Sequence, residues 1–147
     1  MTNSEKIANL LYPNCKYTVE EINAKYPRRE VVNGEVTRIA PSPTGFLHIG
    51  TAYVAFMDKL IAGDGVYYFR LEDTDKKREV ENTADIAYNM LCKFNLHPDE
   101  GFRGENQQEL GIYGPYRQSD RKEIYQTFAK YLVEKGRAFT CFCKKTE

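Results

Sequence analysis

No stretch of the 147 residues approaches 18 consecutive apolar side chains, so the sequence offers no candidate membrane-spanning helix. The first eleven residues lack the basic start and apolar core of a secretory leader. Net charge is also missing, because Lys plus Arg and Asp plus Glu each number 21. That balance argues against a dedicated basic nucleic-acid module, although a local patch fits inside a neutral total. There are no internal repeats and no low-complexity tracts. Cysteine is sparse: Cys15, Cys92, Cys141 and Cys143, without a leader, read as reduced thiols or metal ligands rather than disulfides. Together these absences predict a cytoplasmic protein with no membrane partner. Disorder is disfavoured by what is present, since 13% aromatic residues supply enough apolar area to offset chain entropy. The length suits one domain burying roughly two-thirds of its unfolded surface.

Residues 1–35 read as a short helical extension. A helix over 4–12 stops before Pro13, and a second opens with the capping box Thr18-Val19-Glu20-Glu21 and ends near Tyr26, ahead of Pro27. This segment carries no catalytic pattern and is expected to dock on or cover the rest. Residues 36–40 predict a strand rich in β-branched side chains, closed by the loop of Pro41, Pro43 and Gly45. Residues 51–62 are nearly all apolar, which predicts a helix buried on every side. Gly63-Asp64-Gly65 turns the chain into a strand over 66–71, completing a βαβ unit with the usual right-handed crossover. Two more helices follow, one carrying Ala84, Ala87, Met90, Leu91 and Phe94, the other Ile124, Phe128, Tyr131 and Leu132. The latter is expected to start near Asp120 with a capping box through Glu123 and to end at Gly136. Residues 95–117 read as a surface excursion. A strand is predicted over 138–142, so the chain reads as an α/β domain cut before completion.

The strand-to-helix junction from Arg38 to Thr51 carries the strongest chemical pattern. A helix N-terminus presents N–H groups and partial positive charge, so phosphate is its natural ligand. Gly50 permits close approach of a ligand to the backbone, and His48 and Thr51 are each able to donate to phosphate oxygens. The junction is neither a GxGxxG fingerprint nor a Walker loop.

Arg38-x-Ala40-Pro41-Ser42-Pro43-Thr44-Gly45, followed by Leu47-His48-Ile49-Gly50, resembles the first signature of class I glutamyl-tRNA synthetases. Leu71-Glu72-Asp73-Thr74-Asp75, then Gly114-Pro115-Tyr116-Arg117-Gln118-Ser119, then Cys141-Phe142-Cys143 continue the resemblance in the family's order to the chain end. The extension, with Tyr12-Pro13, Tyr26-Pro27 and Arg28, is similar to one carried by some bacterial members. The resemblance implies a Rossmann-like nucleotidyl-transferase half-domain with a parallel sheet over 36–147, preceded by the helical extension. It implies ATP-dependent activation of L-glutamate, with Mg2+, to glutamyl-adenylate, and transfer to tRNA(Glu). Arg38 would then face the substrate's side-chain carboxylate. Glu72 would hold the α-ammonium, helped by Ser42 and the Ala40 backbone. Pro41, Ser42, Gly45, His48, Gly50 and Thr51 would surround ATP, with His48 and Thr51 stabilising charge as pyrophosphate leaves. Asp73 and Asp75 are read equally as site residues or as caps of the next segment.

Two departures stand out. The family's signature ends His-Ile-Gly-His, whereas Thr51 holds the last position here; its hydroxyl still bonds phosphate or ribose. No Lys-x-Ser-Lys-like string, the family's mobile ATP-gripping loop, occurs in the 147 residues. The chain is therefore expected to cover the first part of a catalytic domain and to be inactive by itself. Cys141 and Cys143 supply only two of the four ligands of a tetrahedral zinc site. They read either as an exposed thiol pair or as half of a zinc site completed elsewhere in a full-length protein. Cys92 and His97 read as structural. Glutaminyl enzymes generally carry Glu at the position of Ser42 and Asp at that of Glu72, and glutamyl-queuosine tRNA(Asp) synthetases usually show Asp-Ile-Asp in place of Asp73-Thr74-Asp75. Both patterns favour the glutamyl reading. The alternative of another class is a non-catalytic half-domain that binds a nucleotide or a tRNA end.

Overall fold

A computed structural model describes residues 1–45 and 48–143. Phe46 and Leu47 of the first signature, and the tail Lys144-Lys145-Thr146-Glu147, lie outside the described residues. In chain order the elements are α1 (Asn3–Leu11), α2 (Val19–Lys25), β1 (Val36–Ile39), α3 (Ile49–Ala62), β2 (Val66–Phe69), α4 (Thr83–Lys93), β3 (Glu100–Gly101), a 3-10 turn (Gln118–Arg121) and α5 (Lys122–Glu134). None of the described helices is long and apolar enough to cross a membrane. The chain forms two compact units, residues 29–121 and residues 1–28 with 122–143.

The second of these is helical. α1 and α2 both pack on α5, burying Ala8, Ile22, Thr127 and Val133. The predicted capping box of α2 is present: Glu21 N–H donates to Thr18 Oγ1 at 3.2 Å, and Thr18 N–H donates to Glu21 Oε2 at 2.8 Å. α1 has the same device through Thr2 and Glu5. Gly136, at φ 67°, ends α5 as expected, with Arg137 N–H donating back to the Leu132 carbonyl and Gly136 N–H to that of Val133. The expected capping box at Asp120 is replaced by the 3-10 turn, which leads straight into α5. No strand forms over 138–142. Those residues have no ladder partner among the described residues, and Phe139 and Phe142 are exposed; alternation without a partner does not make a strand.

Residues 29–121 form the α/β unit, with an open parallel sheet in the order β1-β2-β3. Val36 to Ile39 pair in register with Val66 to Phe69, and Tyr68 and Phe69 with Glu100 and Gly101. Tyr67, Phe69 and Leu71, alternate residues of one extended chain, are fully buried and centre the core with Ile39, Ala55, Ala87, Leu91 and Phe102. At Gly101 the backbone has φ 124°, and a Cβ would collide with the Phe69 carbonyl, so glycine is needed for β3 to reach β2. α3 corrects the expectation of burial on every side. It buries only Ala52, Ala55 and Ala62, while Ile49, Tyr53, Phe56 and Leu60 are half or more exposed. Small residues let the helix backbone approach the sheet, and the large apolar ones are left facing outward.

Candidate active site

The chain leaving β2 runs beside the chain leaving β1 and pins the Pro-rich loop. Arg70 N–H donates to the Ile39 carbonyl at 3.0 Å, Glu72 N–H to Pro41 at 3.0 Å, and Val80 N–H to Pro43 at 2.8 Å. Proline has a carbonyl but no N–H, so Pro41 and Pro43 suit these one-sided positions. The pinned loop and the start of α3 enclose a cleft of about 570 Å³ lined by Ile39, Ala40, Pro41, Ser42, Thr44, Gly45, His48, Gly50, Thr51 and Val54. The fold thus brings Ala40, Pro41, Ser42, Gly45, His48, Gly50 and Thr51 together at a helix N-terminus beyond a strand end. Ligands of open α/β sheets bind at such places.

His48 caps α3 itself: its Nδ1 accepts the Gly50 N–H at 3.1 Å. Accepting at Nδ1 assigns the proton of the neutral ring to Nε2, which is left to donate outward from an exposed side chain. Two of the first N–H groups of α3 are therefore already paired, Gly50 with the ring and Thr51 with the His48 carbonyl at 2.9 Å. An anion in the cleft would meet the His48 ring and the Thr51 hydroxyl as well as the helix dipole. A side chain at position 50 would sit 2.9 Å from the His48 ring, so Gly50 keeps that ring in place.

Arg38 and Glu72 do not line the cleft. They pair with each other at 2.8 Å beside it, and Arg70 reaches the same carboxylate oxygen, Glu72 Oε1, at 2.7 Å. Burial pushes the Glu72 carboxyl up, but the Arg70 bond and the Arg38 charge outweigh it and hold the group below the usual carboxylate range. Glu72 is linked to the cleft through its backbone bond to Pro41.

Asp73 finds its partners within the fold. Its side chain is buried and accepts Ser119 N–H at 2.9 Å and Ser119 Oγ–H at 2.7 Å, with Lys76 at 3.1 Å and Arg117 at 3.3 Å. It ties the 114–119 motif to the end of β2 instead of facing the cleft. Asp75 pairs with Arg78 at 2.6 Å on the surface, as a local cap would.

Sequence reasoning missed Arg70 and a second network. Arg29 donates to both oxygens of Glu100 at 2.8 and 2.7 Å, and Tyr116 OH donates to Glu100 at 2.7 Å. Glu109 accepts the backbone N–H groups of Tyr116 and Arg117 at 2.8 and 3.2 Å. Burial, then the Glu100 carboxylate, pushes the Tyr116 phenol up. Arg70 was findable, because position i−2 from Glu72 in an extended chain lies on the same side. The Arg29–Glu100 pair spans 71 positions, which no local spacing reveals. Cys141 and Cys143 are exposed, and among the described residues no group of three His, Cys, Asp or Glu gathers to hold a metal.

The comparisons with known proteins fall on this same region. Residues 35–147 match the family of tRNA synthetases class I (E and Q), catalytic domain. A glutamate–tRNA ligase of Acetivibrio thermocellus is 48% identical over 147 residues, covering 97% of this chain and 27% of that protein. One from Clostridium perfringens is 44% identical over 146 residues, covering 97% of this chain and 27% of the relative. Among solved structures, a glutamate tRNA ligase from Elizabethkingia meningosepticum in complex with its amino acid is similar at TM-score 0.63 and 35% identity, over 69% of this chain and 20% of that one. The chain spans about a quarter of the length of the curated relatives it matches. With its parallel open sheet, its Rossmann-like fold and its match over residues 35–147, the chain belongs to the class I tRNA synthetases for Glu and Gln, within their catalytic domain.

Proposed function

We propose that these residues supply the amino-acid and ATP sites of a glutamate–tRNA ligase, acting in the cytoplasm on L-glutamate, ATP and tRNA(Glu). The observation that carries this reading is the Arg38–Glu72 pair, one backbone hydrogen bond away from the His48-capped cleft. L-glutamate has complementary charges, a side-chain carboxylate for the Arg38 guanidinium and an α-ammonium for Glu72. Its α-carboxylate oxygen attacks the α-phosphorus of ATP, the bond to the departing pyrophosphate breaks, and glutamyl-adenylate results. The terminal ribose hydroxyl of the tRNA then takes the glutamyl group and AMP leaves. No protein nucleophile is needed, so catalysis is positioning and charge stabilisation. His48 Nε2–H and the Thr51 hydroxyl donate to phosphate oxygens, while Ser42 and the Ala40 backbone shape the amino-acid side. The cleft lining has no carboxylate, so Mg2+ fits here as a companion of the triphosphate, neutralising its charge.

The test is ATP–pyrophosphate exchange by the full-length ligase that carries this sequence, with tRNA(Glu) present. Exchange dependent on glutamate, and at background with glutamine, is expected. Equal exchange with both, or none with glutamate, overturns the assignment.

A further inference from the structure

Two guanidinium groups converge on one oxygen of Glu72. Arg38 Nη1 lies 2.8 Å and Arg70 Nη2 2.7 Å from Glu72 Oε1, and no bond among the described residues falls on Oε2. In the proposed reaction Arg38 and Glu72 bind opposite ends of one substrate, so their mutual bond must loosen as glutamate enters. A carboxylate held by Arg38 alone would lose its anchor at that moment, or else would keep Arg38 from the substrate. We propose that Arg70 is a positioning residue: it retains Glu72 by Oε1 while Arg38 turns to the substrate carboxylate, leaving Oε2 for the α-ammonium. This inference rests on the proposed glutamate-activating function.

Three observations support the division of labour. Arg70 is the more buried of the two, its side chain 22% exposed against 36% for Arg38. Its backbone is fixed by the N–H bond to the Ile39 carbonyl at 3.0 Å, at the end of the paired strand. Its Nε is buried with no partner among the described residues. An unpaired buried donor costs stability, so an arginine kept for packing alone would be better replaced by an apolar side chain.

The experiment uses the full-length ligase carrying this sequence, with Arg70→Met and Arg70→Lys. KM for glutamate, KM for ATP and kcat are read by pyrophosphate exchange with tRNA(Glu) present, with the melting temperature beside them. Arg70→Met is expected to raise the glutamate KM about tenfold or more, the effect of losing a charge-assisted bond, with the ATP KM within about twofold and the melting temperature retained. Arg70→Lys keeps the charge and is expected to recover part of the loss. Arg70→Gln, read in the same way, replaces the Met variant if that protein is insoluble. An unchanged glutamate KM overturns the inference, as does a rise in both KM values with a lowered melting temperature, which would mark a folding role. Absence of glutamate-dependent exchange in the unsubstituted enzyme overturns the proposed function and Arg70's role with it, which separates the two failures.

Discussion

Arg38 and Glu72 hold each other at 2.8 Å, and both are partly open to solvent, so the internal pair is weak enough to be exchanged for a substrate. Once a substrate carboxylate is enclosed, losing its guanidinium leaves a charge without its bonds. Arg38→Ala in the full-length ligase is therefore expected to reduce kcat/KM for glutamate by the equivalent of roughly 2–5 kcal/mol while ATP binding changes little. Steady-state kinetics with each substrate varied in turn decide it, and an unchanged glutamate dependence removes Arg38 from the site. Asp73 makes a different prediction, for stability. Burial pushes its carboxyl up, yet the Ser119 bonds and the Lys76 charge win and hold it below its ordinary value of 3.8. A carboxyl lowered by folding stabilises the native state fully above the unfolded pKa, and that contribution is lost as pH falls through the folded value. Below about pH 4 the protein should lose stability, and Asp73→Asn should both lower the melting temperature at pH 7 and flatten this acid dependence. Melting curves from pH 7 down to 3 check it; an Asp73→Asn variant with the parent's acid slope contradicts it. The residue-level contrast is instructive. Short fixed strings single out His48, Arg38 and Glu72 in the sequence, whereas the bond of Asp73 to Ser119 joins positions 46 apart and only the fold reveals it.

For α3 the expected helix is present, and its burial is what the sequence misjudged. An apolar run gives length and type, but periodicity cannot say which side faces the sheet when nearly every side is apolar. The answer was in side-chain size: Ala52, Ala55 and Ala62 face inward, and Tyr53, Phe56 and Leu60 face out. Ala55 is fully buried, so Ala55→Leu should overpack the interface with the sheet and destabilise the protein by roughly 1–3 kcal/mol. Phe56 is half exposed, and Phe56→Ser should change stability much less. Urea unfolding of the two variants reads the difference; a larger loss for Phe56→Ser reverses the assignment of the helix faces. Elements defined by local chemistry were the most legible, namely the Thr18 box, the Gly136 terminus and the βαβ pairing. The failed strand over 138–142 marks the opposite case, because a strand exists only through its partner.

For the molecule as a whole, the sheet has three strands with β1 at one edge, and α3 carries an exposed apolar stripe beside the cleft. Exposed edges and stripes of this kind favour association, so the 147-residue chain should be handled at low concentration in any assay. It is expected to show no glutamate-dependent ATP–pyrophosphate exchange by itself. The cleft offers the phosphates one imidazole, hydroxyl groups and a helix end, and no lysine or arginine among the described residues lines it. No Lys-x-Ser-Lys string exists in the sequence to bring a mobile cation to the departing pyrophosphate. Loss of a single preorganised charge stabiliser costs on the order of a hundredfold in rate or more. Arg38, Glu72 and His48, the groups proposed to face the substrates, are nevertheless present, so weak binding of ATP or glutamate without turnover is the expected behaviour. Calorimetric titration with each ligand, run beside an exchange assay that uses the full-length ligase as positive control, separates binding from catalysis. Exchange by the 147-residue chain near the full-length rate would mean that the cleft alone stabilises the departing pyrophosphate, and the roles given to His48 and Thr51 would then have to carry the whole of that charge.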